Sequence, residues 1–378
     1  MLAEIVEPTD SDEQKATKIY AALQKLDNTG FSRQKSEVEL KKEKIKDINK
    51  VEDIWKRKSA APNGITFLYI ALLRTAGIKA WLMQVVNRNR ASFDTSYLST
   101  GQLDDYIAIV ELGGKDVYLD PGQKMCPFGT LHWKHSLATG LRLSDKGAVI
   151  ASTPATNYKN SIVSHYVDLN IDEAGDAKGT VRIVMIGQEA LYWRQLALEN
   201  DDEEVKKQFK ESLHDDLPEG VQADFDHFEA LDDFNKNLVA IVNITGNIGT
   251  ATGKHLFLPG LFFESRAKHP FVALEKRITP IDVRYARMEQ DDVIYHLPPG
   301  FSVESTPKAG NISWPQHATL RINSAVSNGN VEVTRIFARG FTILDPLDYN
   351  DLHDFYSKAA ASDQQQLVLT HTTAAKGN

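Results

Sequence analysis

The stretch SAAPNGITFLYIALLRTAGIKAW, residues 59 to 81, has the form of an active-site entrance. Small residues open a long apolar helix, and a helix N-terminus offers unpaired N–H groups and a positive dipole end that lower a thiol's pKa. Here the opening holds Pro62, Asn63 and Gly64, none of which is a nucleophile. The flanking hydroxyls Ser59 and Thr66 would each need a base, and no His or Lys in the neighbouring strand segments stands at a matching position. The single cysteine, Cys126, lies in KMCPFGTLHWKH with His132 and His135 close behind it. A displaced Cys–His pair is a candidate for thiol chemistry there; a loop or core cysteine is the alternative, because no helix start precedes it. His132 and His135 lack a third residue at metal-ligand spacing, so they read as isolated or hydrogen-bonded histidines, and no metal or cofactor is expected. Asp104, Asp105 and Asp120 could hold a cation or act as an acid/base pair, although a turn or cap at a strand start and an Asp-Pro strand end more often account for such residues. Trp55, Trp81, Tyr97, Tyr106 and Trp133 could line a groove for peptide or sugar, or pack in a core.

The elements that must position these residues follow from periodicity. SDEQKATKIYAALQKL sets Ala16, Ile19, Tyr20 and Leu23 on one helical face, with Asn28 and Gly30 as the stop. The charged stretch KSEVELKKEKIKDINKVEDIWKRK follows and ends with Val51, Ile54 and Trp55 on a short helical face. Ile65, Leu68, Tyr69, Leu72, Leu73 and Ala76 then recur at the spacing of a helix buried along one side, with Gly77 at its C′ position. KAWLMQVVNR, DDYIAIVEL and KDVYLD are strand-like, the last two joined by a Gly113–Gly114 turn. Beyond Leu143 the periodicity is lost through SDKGAVIASTPATNYKN, which reads as a linker and places a domain boundary near residue 155. Strands dominate afterwards, and their alternation and Gly/Pro/Asn punctuation predict antiparallel sheets. One helical interruption spans GQEALYWRQLALENDDEEVKKQFKESLHDDL, where Asp201 and Glu204 suit a helix start and Val205, Phe209 and Leu213 form an apolar stripe. DYNDLHDFYSKAA predicts a further helix near the end.

At 378 residues the chain exceeds one comfortable core, which implies two or three domains. No apolar run approaches the ~20 residues of a membrane span, and the N-terminal residues carry neither the basic nor the apolar region of a signal peptide. The net charge of -8 argues against a general nucleic-acid binder. Between Glu199 and Asp233 stand 14 acidic and 3 basic residues, which form either a solvated helix face and loop or a surface for a cation or basic partner. One cysteine excludes an intrachain disulfide and a thiolate metal cluster, and leaves the compartment open.

The segments IALLRTAGIKAW, LDDYIAIVELGGKDVYLDPGQKMCPFGTL and, more loosely, the later β region with LPPGF and DYNDLHDFY resemble a known arrangement. It is the transglutaminase-like domain, of the papain-like thiol superfamily, found in large bacterial proteins with flanking β-rich domains in the DUF3857/DUF3858 style. The resemblance spans most of the chain. It implies an α+β protein, with a transglutaminase-like core of helices packed on an antiparallel sheet over residues 1–155. A β-rich domain with inserted helices would follow over 156–285, then a β-sandwich-like segment with a terminal helix over 286–378 that can form one unit with it. Active members use a Cys-His-Asp triad. Alignment on ALLR puts the cysteine position at Pro62, and alignment back from Asp120 and Pro121 puts the histidine position at Asp105. Only Asp120 matches, and it has no imidazole to orient, since no histidine lies between Ala3 and Leu131. Asn63 suits capping better than attack. The resemblance therefore implies a catalytically inactive protein, a binding or structural module with Asn63, Asp104 and Tyr106 along a remnant groove. The alternative is an active transglutaminase-like or peptidase-like thiol enzyme working through Cys126 or another site. The implied partner is a protein, peptide or glycan, with no nucleic acid and no membrane span. The implied setting is periplasmic or secreted, with this chain a piece of a longer protein, because relatives carry a further N-terminal β domain.

Overall fold

Residues 1–32, 50–97, 99–214, 216–263, 271 and 277–372 are described by a computed structural model; most of the charged stretch before Lys50, read above from sequence, lies outside them. The chain forms two compact units. Unit 1 comprises Met1–Thr156 with Leu191–Asp201 and Asp232–Asn235, and unit 2 comprises Asn157–Ala190, Asp202–Leu231 and Lys236–Asn378.

In unit 1, α1 (Asp12–Gln24) starts with a capping box: Ser11 Oγ accepts the Gln14 N–H at 3.2 Å, and Gln14 Oε1 accepts the Ser11 N–H at 2.9 Å. Next come β1 (Asp27–Asn28), α2 (Val51–Arg57) and β2 (Ser59–Ala60), with β1 and β2 paired in parallel. The helix α3 (Pro62–Thr75) buries Ile65, Leu68, Tyr69, Leu72 and Leu73 against Ala16, Ile19, Tyr20 and Leu23 of α1. Five strands follow: β3 (Ala80–Val85), β4 (Asp105–Leu112), β5 (Lys115–Leu119), β6 (Thr139–Ser144) and β7 (Gly147–Ser152). They form one antiparallel sheet in the order β5-β4-β3-β6-β7. Strand β4 is buried on both faces. Ala108 and Val110 join the helical core, while Ile107 and Ile109 pack with Met83, Val85 and Leu131 on the other side, hence the unbroken apolar run YIAIV. Gly113 and Gly114 turn β4 into β5 with φ of +58° and +76°, which L side chains adopt only with strain.

The segment read as a linker after Leu143 is corrected here. Its first part is β7, paired with β6 along the whole strand. An edge strand with Val149 and Ile150 both exposed shows no alternation, so periodicity could not reveal it.

Unit 2 contains β8 (Ile162–Ile171), β9 (Asp176–Ile186), α4 (Gln188–Glu199, whose residues from Leu191 count with unit 1), α5 (Asp202–His214), β10 (Val221–Glu229) and β11 (Leu238–Asn247). Then come β12 (Thr250–Thr252), β13 (His255–Pro259), β14 (Ile281–Asp282), β15 (Arg287–His296), β16 (Phe301–Ser305) and β17 (Gly310–Trp314). The last elements are β18 (Ala318–Ser327), β19 (Asn330–Arg339), β20 (Ile343–Leu344), α6 (Tyr349–Asp363) and β21 (Gln366–His371). Eight strands make one sheet in the order β10-β11-β9-β8-β15-β19-β18-β17, four make a second in the order β12-β13-β21-β16, and β14 pairs with β20. The expectation of antiparallel pairing fails at one place, the centre of the large sheet, where β8 and β15 run parallel. Helix α5 buries the predicted stripe Val205, Phe209 and Leu213, with Phe209 meeting Phe225 and Phe228 of β10 at ring distances of 4.9 and 5.0 Å.

Candidate functional site

Pro62 is the first residue of α3, and its ring suits that position because the missing N–H would be unpaired there anyway. The N-cap is Ala61, which makes no side-chain cap, so the expectation that Asn63 caps the helix is corrected: Asn63 lies inside the first turn. That turn is half-buried and closely packed on one side. A Cβ on Gly122 would stand 2.7 Å from Pro62 O and 2.9 Å from Thr66 Oγ1, and one on Gly30 would stand 2.7 Å from Pro62 Cγ. Only glycine at both places lets the backbone come this near. Thr66 is fully buried, with its hydroxyl 3.3 Å from Pro62 O and 3.4 Å from Tyr106 O, and Ser59 donates to Asp27 Oδ2 at 2.8 Å. Neither hydroxyl faces an imidazole or an amine, and Ser59 is bonded to a carboxylate at the paired strands β1 and β2.

The loop after β5 is tied down by α1. Tyr20 Oη lies 3.1 Å from Asp120 O and 3.0 Å from Cys126 O, Gln24 Oε1 accepts the Met125 N–H at 2.8 Å, and Lys124 Nζ donates to Leu26 O at 2.8 Å. Asn28 Nδ2 donates to Gly122 O at 2.8 Å from the end of β1. These bonds fix Asp120, the last residue before Pro121, at zero exposure.

Asp120 does have an imidazole. His135 Nδ1 meets Asp120 Oδ2 at 2.6 Å, which overturns the reading of an aspartate with nothing to orient. The other ring nitrogen, Nε2, meets Asp105 Oδ2 at 2.8 Å. Asp105, at the start of β4 where the resemblance puts a histidine, also accepts from Asn87 Nδ2 at 2.9 Å and lies 3.8 Å from Lys134 Nζ. Asp120 Oδ2 further accepts the His132 N–H at 3.1 Å, whereas its Oδ1 is buried without a hydrogen-bond partner among the described residues. Burial opposes the charge on His135, but the Asp120 carboxylate and the bonds to both aspartates outweigh it and hold the imidazole above its ordinary value. Burial likewise opposes ionisation of Asp105, and the hydrogen bond and charge of His135, then Lys134 and Asn87, outweigh it and hold the carboxyl low.

The other candidates lie apart from this cluster or are spent. Asp104 pairs with Arg90 at 2.8 Å. The Tyr106 ring packs edge-on against Phe67 at 5.1 Å. Cys126 is fully buried beside Met125 and Leu191, with Sγ 3.4 Å from Thr130 O. Burial, then the Asp120 charge, pushes its thiol well above the ordinary value. Burial pushes His132 well below its own, helped by Lys134 and His135, and its Nδ1 accepts the Lys134 N–H at 3.2 Å. No group of three metal-ligating side chains is found among the described residues. Sequence reasoning missed His135 because it looked for the imidazole at the head of a strand, whereas it arrives from a turn 15 residues after Asp120. The available signal was simple: His132 and His135 are the only imidazoles in the first 156 residues.

Residues 254–369 match the model of a family described as a domain of unknown function with a solved structure, DUF3858. A crystal structure of a protein from Parabacteroides distasonis ATCC 8503, described as a "putative protease", is similar in fold with a TM-score of 0.50 at 12% identity. The likeness covers 98% of this chain and 54% of that one, so this chain spans about half of its neighbour's length. No curated protein matches the sequence.

Proposed function

We propose that this chain is a catalytically inactive transglutaminase-like protein that serves as a binding or structural module, in a bacterial envelope or secreted setting. One observation carries the reading: both ring nitrogens of His135 are committed to carboxylates, at 2.6 and 2.8 Å. A general base needs a lone pair facing the proton it removes, and while both ring nitrogens face carboxylates His135 offers none to a substrate. The helix start where a nucleophile would stand holds Pro62, against which Gly30 and Gly122 pack closely. What remains is a frame in which the aspartate keeps its role of holding an imidazole while that imidazole holds a second aspartate. The rival reading, hydrolysis or acyl transfer through Cys126, requires a thiolate, and burial works against one.

Two assays on the purified chain test this: incorporation of a fluorescent amine into a glutamine-containing peptide, and release from an amide-linked peptide. The expected result is no turnover above buffer for the native chain, His135→Gln or Cys126→Ala. Turnover that disappears in Cys126→Ala establishes the thiol enzyme instead.

A further inference from the structure

The Asp105, His135 and Asp120 cluster is closed by one proton. With that proton the imidazolium donates to both carboxylates; without it the ring keeps a single N–H and turns a lone pair toward one of the two oxygens. We propose that His135 is a proton-operated latch, which when charged ties the start of β4 and the end of β5 to the 132–136 turn, and when neutral keeps Asp120 and releases Asp105. The inference rests on the noncatalytic reading above, since a ring that exchanged protons with substrate could not stay bound to both aspartates.

The two carboxylates are not equivalent, and that sets which bond breaks. Asp120 is wholly buried and is held by the His132 N–H as well. The Asp105 side chain is 26% exposed and keeps Asn87 and Lys134 when the imidazole lets go. A lone pair turned toward Asp120 would leave a buried carboxylate facing a second acceptor, so the neutral ring retains its proton on Nδ1. The surroundings offer no substitute proton. Tyr20 from α1 donates to main-chain carbonyls, and burial holds its hydroxyl neutral. The Cys126 thiol is neutral, His132 is neutral, and Gln195 and Thr153 carry no charge. The cations facing the turn are Lys134, from the turn itself, and Arg88 after β3, whose Nη1 donates to Trp133 O at 3.0 Å and Ser136 O at 2.7 Å. Burial and Lys134 disfavour the proton on His135, and the two aspartates keep it there.

The latch spans long chain separations: 30 residues between Asp105 and His135, and 15 between Asp120 and His135. Loss of the β4 end therefore loosens the turn against the sheet without unthreading it, because Thr153 Oγ1 still donates to His135 O at 2.6 Å.

The test is a pH titration of the native chain carrying 15N-histidine, with the His135 signals assigned by their loss in His135→Gln. Both His135 nitrogens should stay protonated past about 6.5, where an ordinary imidazole titrates, and Nε2 should then lose its proton. Amide exchange across 132–136, corrected for its intrinsic pH dependence, should rise about tenfold through the same interval. In Asp105→Asn the imidazole transition should move to lower pH and the exchange step should vanish. A His135 already neutral at pH 6, a proton lost from Nδ1, or an exchange rate that ignores the titration overturns the latch. The titration of the native chain decides this even if the variant fails to fold. Failure of the noncatalytic reading shows separately, as turnover in the amine or amide assay.

Discussion

Aspartate 120 and aspartate 105 accept from the same imidazole, yet their removal should not weigh equally. Asp120→Asn leaves His135 facing an amide at a position with no solvent exposure. Losing one partner of a buried pair costs about 3–5 kcal/mol, so this variant should lose that much stability in urea or thermal unfolding. Asp105→Asn should cost less, because the position is partly exposed and the 2.9 Å bond from Asn87 can be rearranged around an amide. Equal losses would mean that exposure is irrelevant to the pair. The pH dependence follows from the directions of the two shifts. His135 is held above its ordinary value, so its contribution is complete below the unfolded imidazole value and is lost as pH rises through the folded one. Asp105 is held below its own, so its contribution is complete above the unfolded carboxylate value and is lost as pH falls through the folded one. The cluster is strongest between those ordinary values, from about 4 to about 6.5. At this scale the sequence was half legible. Asp120 stood out by the Pro after it, but nothing in the spacing of HWKH says that its last residue turns inward between two strands.

Among the elements, those with a strong period were readable and those defined by close approach were not. Helices α1 and α3 bury the faces that their spacing predicts, and β4 and β5 meet at the Gly-Gly turn. The contact that shapes the candidate site is instead backbone on backbone, Gly122 against the first turn of α3, and a glycine in a loop gives no sign in sequence of what it touches. Gly122→Ala should expose that constraint. Its Cβ would stand 2.7 Å from a carbonyl oxygen that cannot swing away, so either the loop or the helix start must shift. The expected cost is about 1–3 kcal/mol, as for other overpacked positions. It should be read as a lower melting temperature together with altered exchange in residues 120–126. An unchanged melting temperature would show that the loop has slack against the first turn of α3. Strand β7 was hidden for another reason: every residue but Ala151 is exposed, and without a buried face a strand leaves no alternation to find.

Across the molecule, each unit contains a buried charged cluster that joins residues remote in sequence, and these clusters escape any pattern based on hydrophobic period. In unit 2 the cluster centres on Arg335 of β19. Its guanidinium bonds Asp363 of α6 through Nε at 3.0 Å and Nη2 at 3.1 Å, and Nη1 lies 3.5 Å from Asp291 of β15. Asp291 in turn meets His165 of β8 at 2.7 Å, across the parallel pair at the centre of the large sheet. One arginine thereby connects a helix near the chain end to the junction of the two halves of that sheet. Arg335→Ala would strand Asp363 and leave Asp291 with His165 alone, both aspartates nearly without exposure, and should cost unit 2 about 3–5 kcal/mol. Arg335→Met combined with Asp363→Leu should recover part of that loss, because removing both partners of a buried pair leaves no unpaired charge between them. Hydrogen exchange of β15, β19 and α6 is the measurement to make. Faster exchange in all three for Arg335→Ala, partly reversed in the double variant, is the expected result. If the double variant exchanges as fast as the single one, the arginine acts through its packing rather than through its charge.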